Sequence, residues 1–178
     1  MPAHPSISQP GSQLLTIAAL ILLAVAMRLL PHPMNVTPIG AIGLFAGALL
    51  PSRIAWLLPI AALLLSDMLT GFYALPAMLL VYAGFFFSAA IGRIWLARER
   101  TLGRLAGAVL ASATVFFVIS NLSAWLMYYP RTLEGFVQCY ISAIPFFGRS
   151  LFGDALYVTL LFGAYEYIRR YQPNWQTA

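Results

Sequence analysis

The chain has few charged residues and no lysine. Charged side chains make up 8% of its 178 residues, and all ten basic residues are arginines. A typical soluble domain is about 25% charged. Hydrophobic residues account for 61% of the chain. This composition excludes an ordinary soluble enzyme and a nucleic-acid-binding domain, and it predicts an integral membrane protein with one domain.

The motifs of common catalytic and cofactor sites are also missing. The sequence has no Walker A loop, no HExxH, no aspartate-rich pair for magnesium pyrophosphate and no CxxC. Its single cysteine, Cys139, excludes an internal disulfide and leaves the redox compartment open. We therefore expect a protein that is not an enzyme and that carries no cofactor.

Apolar segments fill most of the remaining chain and predict an all-α bundle of six transmembrane helices. The predicted helices cover residues 13–30, 38–50, 53–70, 75–96, 104–129 and 149–170. The second would rise only about 20 Å, which is too short for a full crossing. A short segment at 132–147, broken by Pro145, is expected to lie over one end of the bundle. Residues 1–12 are predicted to be a disordered tail, and 171–178 a C-terminal tail.

The arginines predict the orientation of the bundle. Cytoplasmic loops of membrane proteins carry an excess of basic residues. If both termini are cytoplasmic, the inner side receives Arg53, Arg93, Arg98, Arg100, Arg104, Arg169 and Arg170. The outer side then receives only Arg28, Arg131 and Arg149. Seven arginines on the inner side against three on the outer side favour cytoplasmic termini.

With this orientation, the unusual polar residues gather near the outer side. Asp67, near the end of the third helix, has no opposite charge close in sequence, and a carboxylate there must be paired, protonated or exposed to a water-filled cavity. Tyr82 shares a face of the fourth helix with Met78. The other candidate binding residues are Arg28, Asn121, Trp125, Tyr128, Arg149 and Asp154. The pattern predicts an outward-facing cup that captures a polar small molecule.

The same residues can also have purely structural roles. Asp67 could form a structural ion pair with Arg28 or Arg149. Trp125 and Tyr128 are typical of an interfacial aromatic belt. Tyr82 fits the lining of a cavity and the packing of a core about equally well.

Three motifs resemble those of a known transporter family. They are S-D-M-L-T-G with Asp67, M-L-L-V-Y ending at Tyr82, and P-F-F-G-R-S-L-F-G-D with Arg149. Over most of its length the chain resembles the substrate-binding S-components of energy-coupling-factor (ECF) vitamin transporters, and in particular the BtuM-like solitary vitamin B12 transporters of Gram-negative bacteria. The resemblance implies a multi-pass protein of the bacterial inner membrane, embedded in lipid, that takes up cobalamin or a related corrinoid. Polar groups such as Asp67, Tyr82, Asn121 and Arg149 would then hold the amides of the corrin.

The chain departs from this family where cobalt would be bound. Some BtuM-like proteins place a cysteine ligand near the start of the fourth helix, but here that stretch reads L-P-A-M-L-L-V-Y. Met78, Cys139 and His32 are the candidate substitute ligands, although a lone cysteine is more often a small buried hydrophobe and His32 fits a solvated loop residue. The alternative is that cobalamin is held through its amide side chains and ring face alone. Because the chain has no nucleotide site, an ECF ATPase module would act in trans, or transport would be equilibrative.

Other functions remain compatible with the sequence. The same fold could carry another vitamin or small solute. The chain could also be a non-transporting subunit of a larger membrane complex, or an intramembrane enzyme.

Overall fold

The computed structural model describes residues 7, 10–31, 33 and 35–171, and in this part of the chain no residue lies in a β-strand. Six helices follow one another with short connections: α1 (Pro10–Leu29), α2 (Ile39–Leu49), α3 (Ser52–Thr70), α4 (Leu75–Ile91), α5 (Leu102–Tyr128) and α6 (Leu133–Tyr171). A π-helical segment, Gly92–Leu96, extends α4. The predicted all-α architecture is confirmed.

Four of these helices are long and apolar enough to cross a membrane. They are α1, α3, α5, and α4 together with its π-helical extension. A crossing helix needs about 20 apolar residues. The 11 residues of α2 are too few, and α6, although 39 residues long, carries charged residues along its length. The four apolar helices indicate a membrane-embedded, multi-pass protein.

The short helix α2 lies at the centre of the bundle. All of its residues are buried, and it packs against α3, α4 and α6. A Cβ atom added to Gly43 would lie 2.8 Å from the Cβ of Ser88, and one added to Gly47 would collide with the carbonyl oxygen of Ala89. Small residues let helix backbones approach closely inside a membrane protein. The glycines of α2 therefore allow the tight contact between α2 and α4.

Contacts at the helix ends show that consecutive helices run in opposite directions. The amide of Ile7, before α1, donates to the carbonyl of Leu49 at the end of α2 over 3.1 Å. Nη2 of Arg93 donates to the carbonyl of Leu50 over 2.6 Å, which brings the extension of α4 to the same place. The guanidinium of Arg100 lies 5.7 Å from the ring centre of Tyr165 in α6. The start of α1 and the last turns of α6 therefore share one end of the bundle, which we call the terminal end.

A single continuous helix replaces the break predicted between 132–147 and 149–170. Pro145 lies inside α6, although a proline in a helix interior costs about 3 kcal/mol. The first half of α6 packs along α5. The phenol of Tyr140 donates to the carbonyl of Val118 over 2.7 Å, and Phe147 packs edge-on against Phe117. Residues 132–147 therefore form a hairpin with α5 and do not lie over the end of the bundle.

The predicted tails are only partly covered by the structure. Helix α1 begins at Pro10, within the predicted tail of residues 1–12. Residues 1–6, 8 and 9 lie outside the described residues, as do residues 172–178 of the predicted C-terminal tail.

We expect Gly47→Ala to destabilise the bundle, because its methyl group would overlap the backbone of Ala89. Overpacking of this kind typically costs about 1–3 kcal/mol. Gly163→Ala is the matched control, because a Cβ at that helical position meets no atom within 4 Å. The measurement is thermal unfolding of the purified proteins in detergent. Equal midpoints for the two variants would contradict the close contact between α2 and α4.

Candidate ligand-binding site

A buried polar cluster joins three helices at the end of the bundle opposite the terminal end. Its centre is Asp67, which is 0% exposed near the end of α3. One carboxylate oxygen lies 2.6 Å from Nη2 of Arg28 in α1, and the other accepts a 2.6 Å hydrogen bond from the phenol of Tyr82 in α4. A buried carboxylate is tolerated when it is both paired and hydrogen-bonded. Asp67 is paired through one oxygen and hydrogen-bonded through the other, so the cluster ties α1, α3 and α4 together.

The partner of Asp67 is Arg28, which decides between the two arginines that the sequence left open. Arg149 is exposed, and its guanidinium lies 5.6 Å from the ring centre of Phe146 on the same helix. The ion pair is therefore formed between the neighbouring ends of α1 and α3.

Two adjoining cavities lie beside this cluster. The larger has a volume of about 260 Å³, and its polar wall consists of Arg28, Asn35, Thr37, Tyr73, Ser88, Ser112, Ser150 and Asp154. The smaller has a volume of about 200 Å³ and is also lined by Ser120, Asn121 and several phenylalanines. Asn35, Phe116 and Ser150 border both cavities. The two spaces are therefore neighbouring compartments of one site between the helices.

The loop between α1 and α2 places Asn35 beside both compartments. The φ angle of Asn35 is 67°, in the left-handed region that asparagine occupies more readily than most residues with a side chain. The amide of Val36 donates to the carbonyl of Pro33 over 3.1 Å and closes the turn. The loop thereby supplies a polar side chain to the site.

Asp154 joins the larger cavity to the start of α2. Its side chain is buried, with the residue 8% exposed, and its carboxylate accepts a hydrogen bond from the amide of Ala41 in the first turn of α2. A Cβ atom on Gly40 would collide with this carboxylate. The first residues of a helix have unpaired N–H groups and a partial positive charge. Asp154 therefore acts as a cap for α2, which has no side-chain cap of its own at Pro38.

A pair of buried serines forms part of the wall of the larger cavity. The hydroxyl of Ser112 in α5 donates to that of Ser88 in α4 over 2.7 Å. Ser88, Ser112 and Ser150 were not among the predicted site residues, because serine in an apolar helix also occurs as an ordinary small packing residue. The signal in the sequence that could have identified these serines was their similar depth in neighbouring helices.

Several predicted binding residues lie away from the two cavities. Asn121 lines the smaller one, whereas Asp67, Tyr82 and Arg149 line neither of the two. Met78 also lines neither cavity. Tyr128 is 76% exposed.

Trp125 and Cys139 contribute to the hairpin of α5 and α6. The indole of Trp125 donates to the carbonyl of Pro130 over 3.0 Å, and the thiol of Cys139 donates to that of Asn121 over 3.5 Å. His32 lies outside the described residues. Within the described ranges, no group of three histidine, cysteine or acidic side chains could hold a metal ion.

Tyr73 adds a donor to the larger cavity from the connection between α3 and α4. Burial raises the pKa of its phenol, the negative charge of Asp67 raises it further, and Arg28 partly opposes this. The phenol therefore stays protonated at neutral pH. The site thus combines hydroxyl, amide and phenol groups with aromatic walls, a combination suited to holding a small molecule.

We expect Asp67→Asn to lower stability strongly, because it leaves the charge of Arg28 without its partner. Breaking a buried ion pair by removing one member costs about 3–5 kcal/mol. The double variant Arg28→Gln/Asp67→Asn should recover much of this loss. The measurement is a double-mutant cycle on thermal unfolding midpoints. Additive effects of the two single substitutions would contradict the pairing.

Comparisons with known proteins give the family of the chain. Neither the curated proteins nor the solved structures contain a match to it. A family model described as a family of unknown function (DUF6580) matches residues 8–175, nearly the whole chain. The protein therefore belongs to the family DUF6580.

Proposed function

We propose that this protein is an uptake transporter of the bacterial inner membrane that captures a small solute from the periplasm. The observation that carries the proposal is the pair of adjoining cavities, whose polar walls come from α1, α4, α5, α6 and the loop before α2. Binding sites of this kind are concave, largely apolar and supplied with a few convergent polar groups.

The arrangement of the helices supports an orientation with the cavities facing outward. Arg28, Asn35 and Tyr73 lie at the end of the bundle opposite the terminal end, and all three line the larger cavity. Arg93, Arg100 and the other arginines predicted to be cytoplasmic belong to the terminal end or to the segments next to it. Since basic residues favour the cytoplasmic side, we propose that both termini are cytoplasmic, and in this orientation the cavities face the periplasm.

The size of the cavities favours a compact ligand. Their volumes are about 260 and 200 Å³, whereas pockets for drug-sized molecules are about 300–1,000 Å³. A vitamin-sized or smaller solute fits the two compartments. A corrinoid is larger than a drug-sized molecule, so cobalamin would require the two cavities to widen. We therefore place a smaller solute before cobalamin, which stays the prediction of the family resemblance.

The proposed transport follows an S-component-like scheme, in which the loaded bundle reorients and releases its ligand inside. No nucleotide-binding motif occurs in the sequence, so an ATPase module acts in trans, or the solute moves down its gradient.

We expect the purified protein in lipid nanodiscs to bind a solute from a panel of vitamins, amines, organic acids and cobalamin, measured by thermal shift and calorimetry. Ser150→Trp should weaken this binding by about tenfold or more, because the indole would fill the boundary between the compartments. Ser142→Trp is the matched control at an exposed position of the same helix. Failure of the whole panel to bind, or equal binding by both variants, would contradict the proposed site.

The proposed orientation predicts the behaviour of reporter fusions. Alkaline phosphatase, which is active only outside the cytoplasm, should be active when inserted after Arg131 and inactive after the C-terminal Ala178. A fluorescent protein that matures only in the cytoplasm should show the reverse pattern. A cytoplasmic result for the Arg131 position would place the cavities on the wrong side for uptake.

A further inference from the structure

We infer that the solute is an organic cation, with one positively charged nitrogen on a compact apolar or aromatic body, and that Asp154 pairs with this nitrogen. The inference rests on the proposed solute-binding function and adds the chemical class of the solute. It follows from the charge balance of the larger cavity and from the nature of its walls.

Among the described residues, the groups around the larger cavity leave one buried carboxyl group without a basic partner. Arg28 and Asp67 form an ion pair and neutralise each other. Asp154, which also lines this cavity, forms no ion pair with any residue that the structure describes. A carboxyl group in the apolar interior of a membrane protein must be paired, protonated or exposed to a water-filled cavity. A cationic ligand in the cavity would favour the ionised form of Asp154 and supply its missing partner.

The cap that Asp154 provides for α2 does not by itself explain a carboxylate. The helix terminus offers the equivalent of about half a positive charge, which offsets only part of the negative charge. Neutral asparagine caps helices about as well as aspartate. An amide at position 154 could therefore accept the bond from Ala41 without the cost of a buried charge. The choice of aspartate indicates a second, electrostatic role in the cavity.

Aromatic rings form much of the remaining wall. Phe85 and Phe116 line the larger cavity with their ring centres 4.4 Å apart, and Tyr73 adds a third ring. Phe146 and Phe147 line the adjoining compartment. Aromatic faces attract cations and also pack against apolar groups. Among the described residues of the cavity wall, the one cationic side chain that an anionic solute would meet is Arg28, whose charge is already neutralised by Asp67.

The test uses probes that share an aromatic body and differ in charge. The first set is tryptamine, tryptophol and indole-3-acetate, and the second is phenethylamine, 2-phenylethanol and phenylacetate. Affinities are measured by calorimetry on the full chain in nanodiscs at neutral pH. We expect the amine of each set to bind about tenfold or more tightly than the alcohol, the difference that one charge-assisted contact provides. The acid should bind most weakly.

Two substitutions connect the preference to Asp154. Asp154→Asn keeps an acceptor for the amide of Ala41 but removes the charge, and should abolish the preference for the amine. Glu134→Gln, an exposed position at the start of the same helix, is the matched control and should preserve it. Ser150→Lys leaves Asp154 and its cap unchanged and places an ammonium one helical turn away. It should weaken the binding of the amines and leave the binding of the alcohols unchanged. Ser142→Lys should change neither affinity.

The outcomes separate the inference from the proposed function. Equal affinity within each set, or a preference for the acids, would overturn the cation assignment while leaving a solute-binding protein. A preference for the amines that survives both Asp154→Asn and Ser150→Lys would overturn the role of Asp154. If no probe binds and the wider panel does not bind either, the proposed function fails, and the inference fails with it.

Discussion

The short length of α2 determines where the site forms. Eleven residues rise about 16 Å, roughly half of the apolar thickness of a bilayer, and this helix is fully buried at the centre of the bundle. Its N-terminal end therefore stops inside the protein, next to the larger cavity, to which Thr37 and Ile39 contribute. Backbone polar groups within a membrane must be satisfied by the protein itself. The end of α2 thus creates both an internal space and a need for a hydrogen-bond acceptor, and Asp154 supplies the acceptor.

Two buried carboxylates meet this environment in different ways. Asp67 has an arginine and a phenol within 2.6 Å, one at each oxygen. That arrangement gives the carboxylate a countercharge without a ligand, and it connects the ends of three helices. Asp154 accepts a hydrogen bond from a backbone amide but forms no ion pair with any residue described. Asp67 therefore has a structural role, whereas the proposed recognition of a charged solute depends on Asp154.

The sequence predicts most of the helices because long apolar runs are separated by prolines and polar loops. For α3 and α4 the predicted starts agree with the structure to within one residue. The continuity of α6 could not be predicted, since Pro145 indicates a local break, whereas the contact of Tyr140 with α5 joins residues distant in sequence. Local signals cannot report such tertiary contacts.

The same limitation applies to the site. A lone aspartate in an apolar helix marked Asp67 as unusual, but only the three-dimensional packing selects Arg28 as its partner. Asp154 was among the candidate residues, yet its contact with the first turn of α2 depends on how α6 crosses that helix. Ser88 and Ser112 were missed because serines of this kind also occur as ordinary packing residues. Their hydrogen bond becomes visible only once α4 and α5 are placed together.

The packing on the other side of the cavity bears on how a solute could leave it. Toward the terminal end, α2 meets α4 and its extension so closely that a Cβ on Gly47 or Gly92 would collide with the opposite backbone. A passage for the solute along this path would have to separate this close contact between α2 and α4, and close-packed helices resist such deformation. Reorientation of the bundle as one body leaves this contact intact. If the protein transports its solute, the packing of α2 against α4 therefore favours the S-component-like scheme over a channel that opens between these two helices.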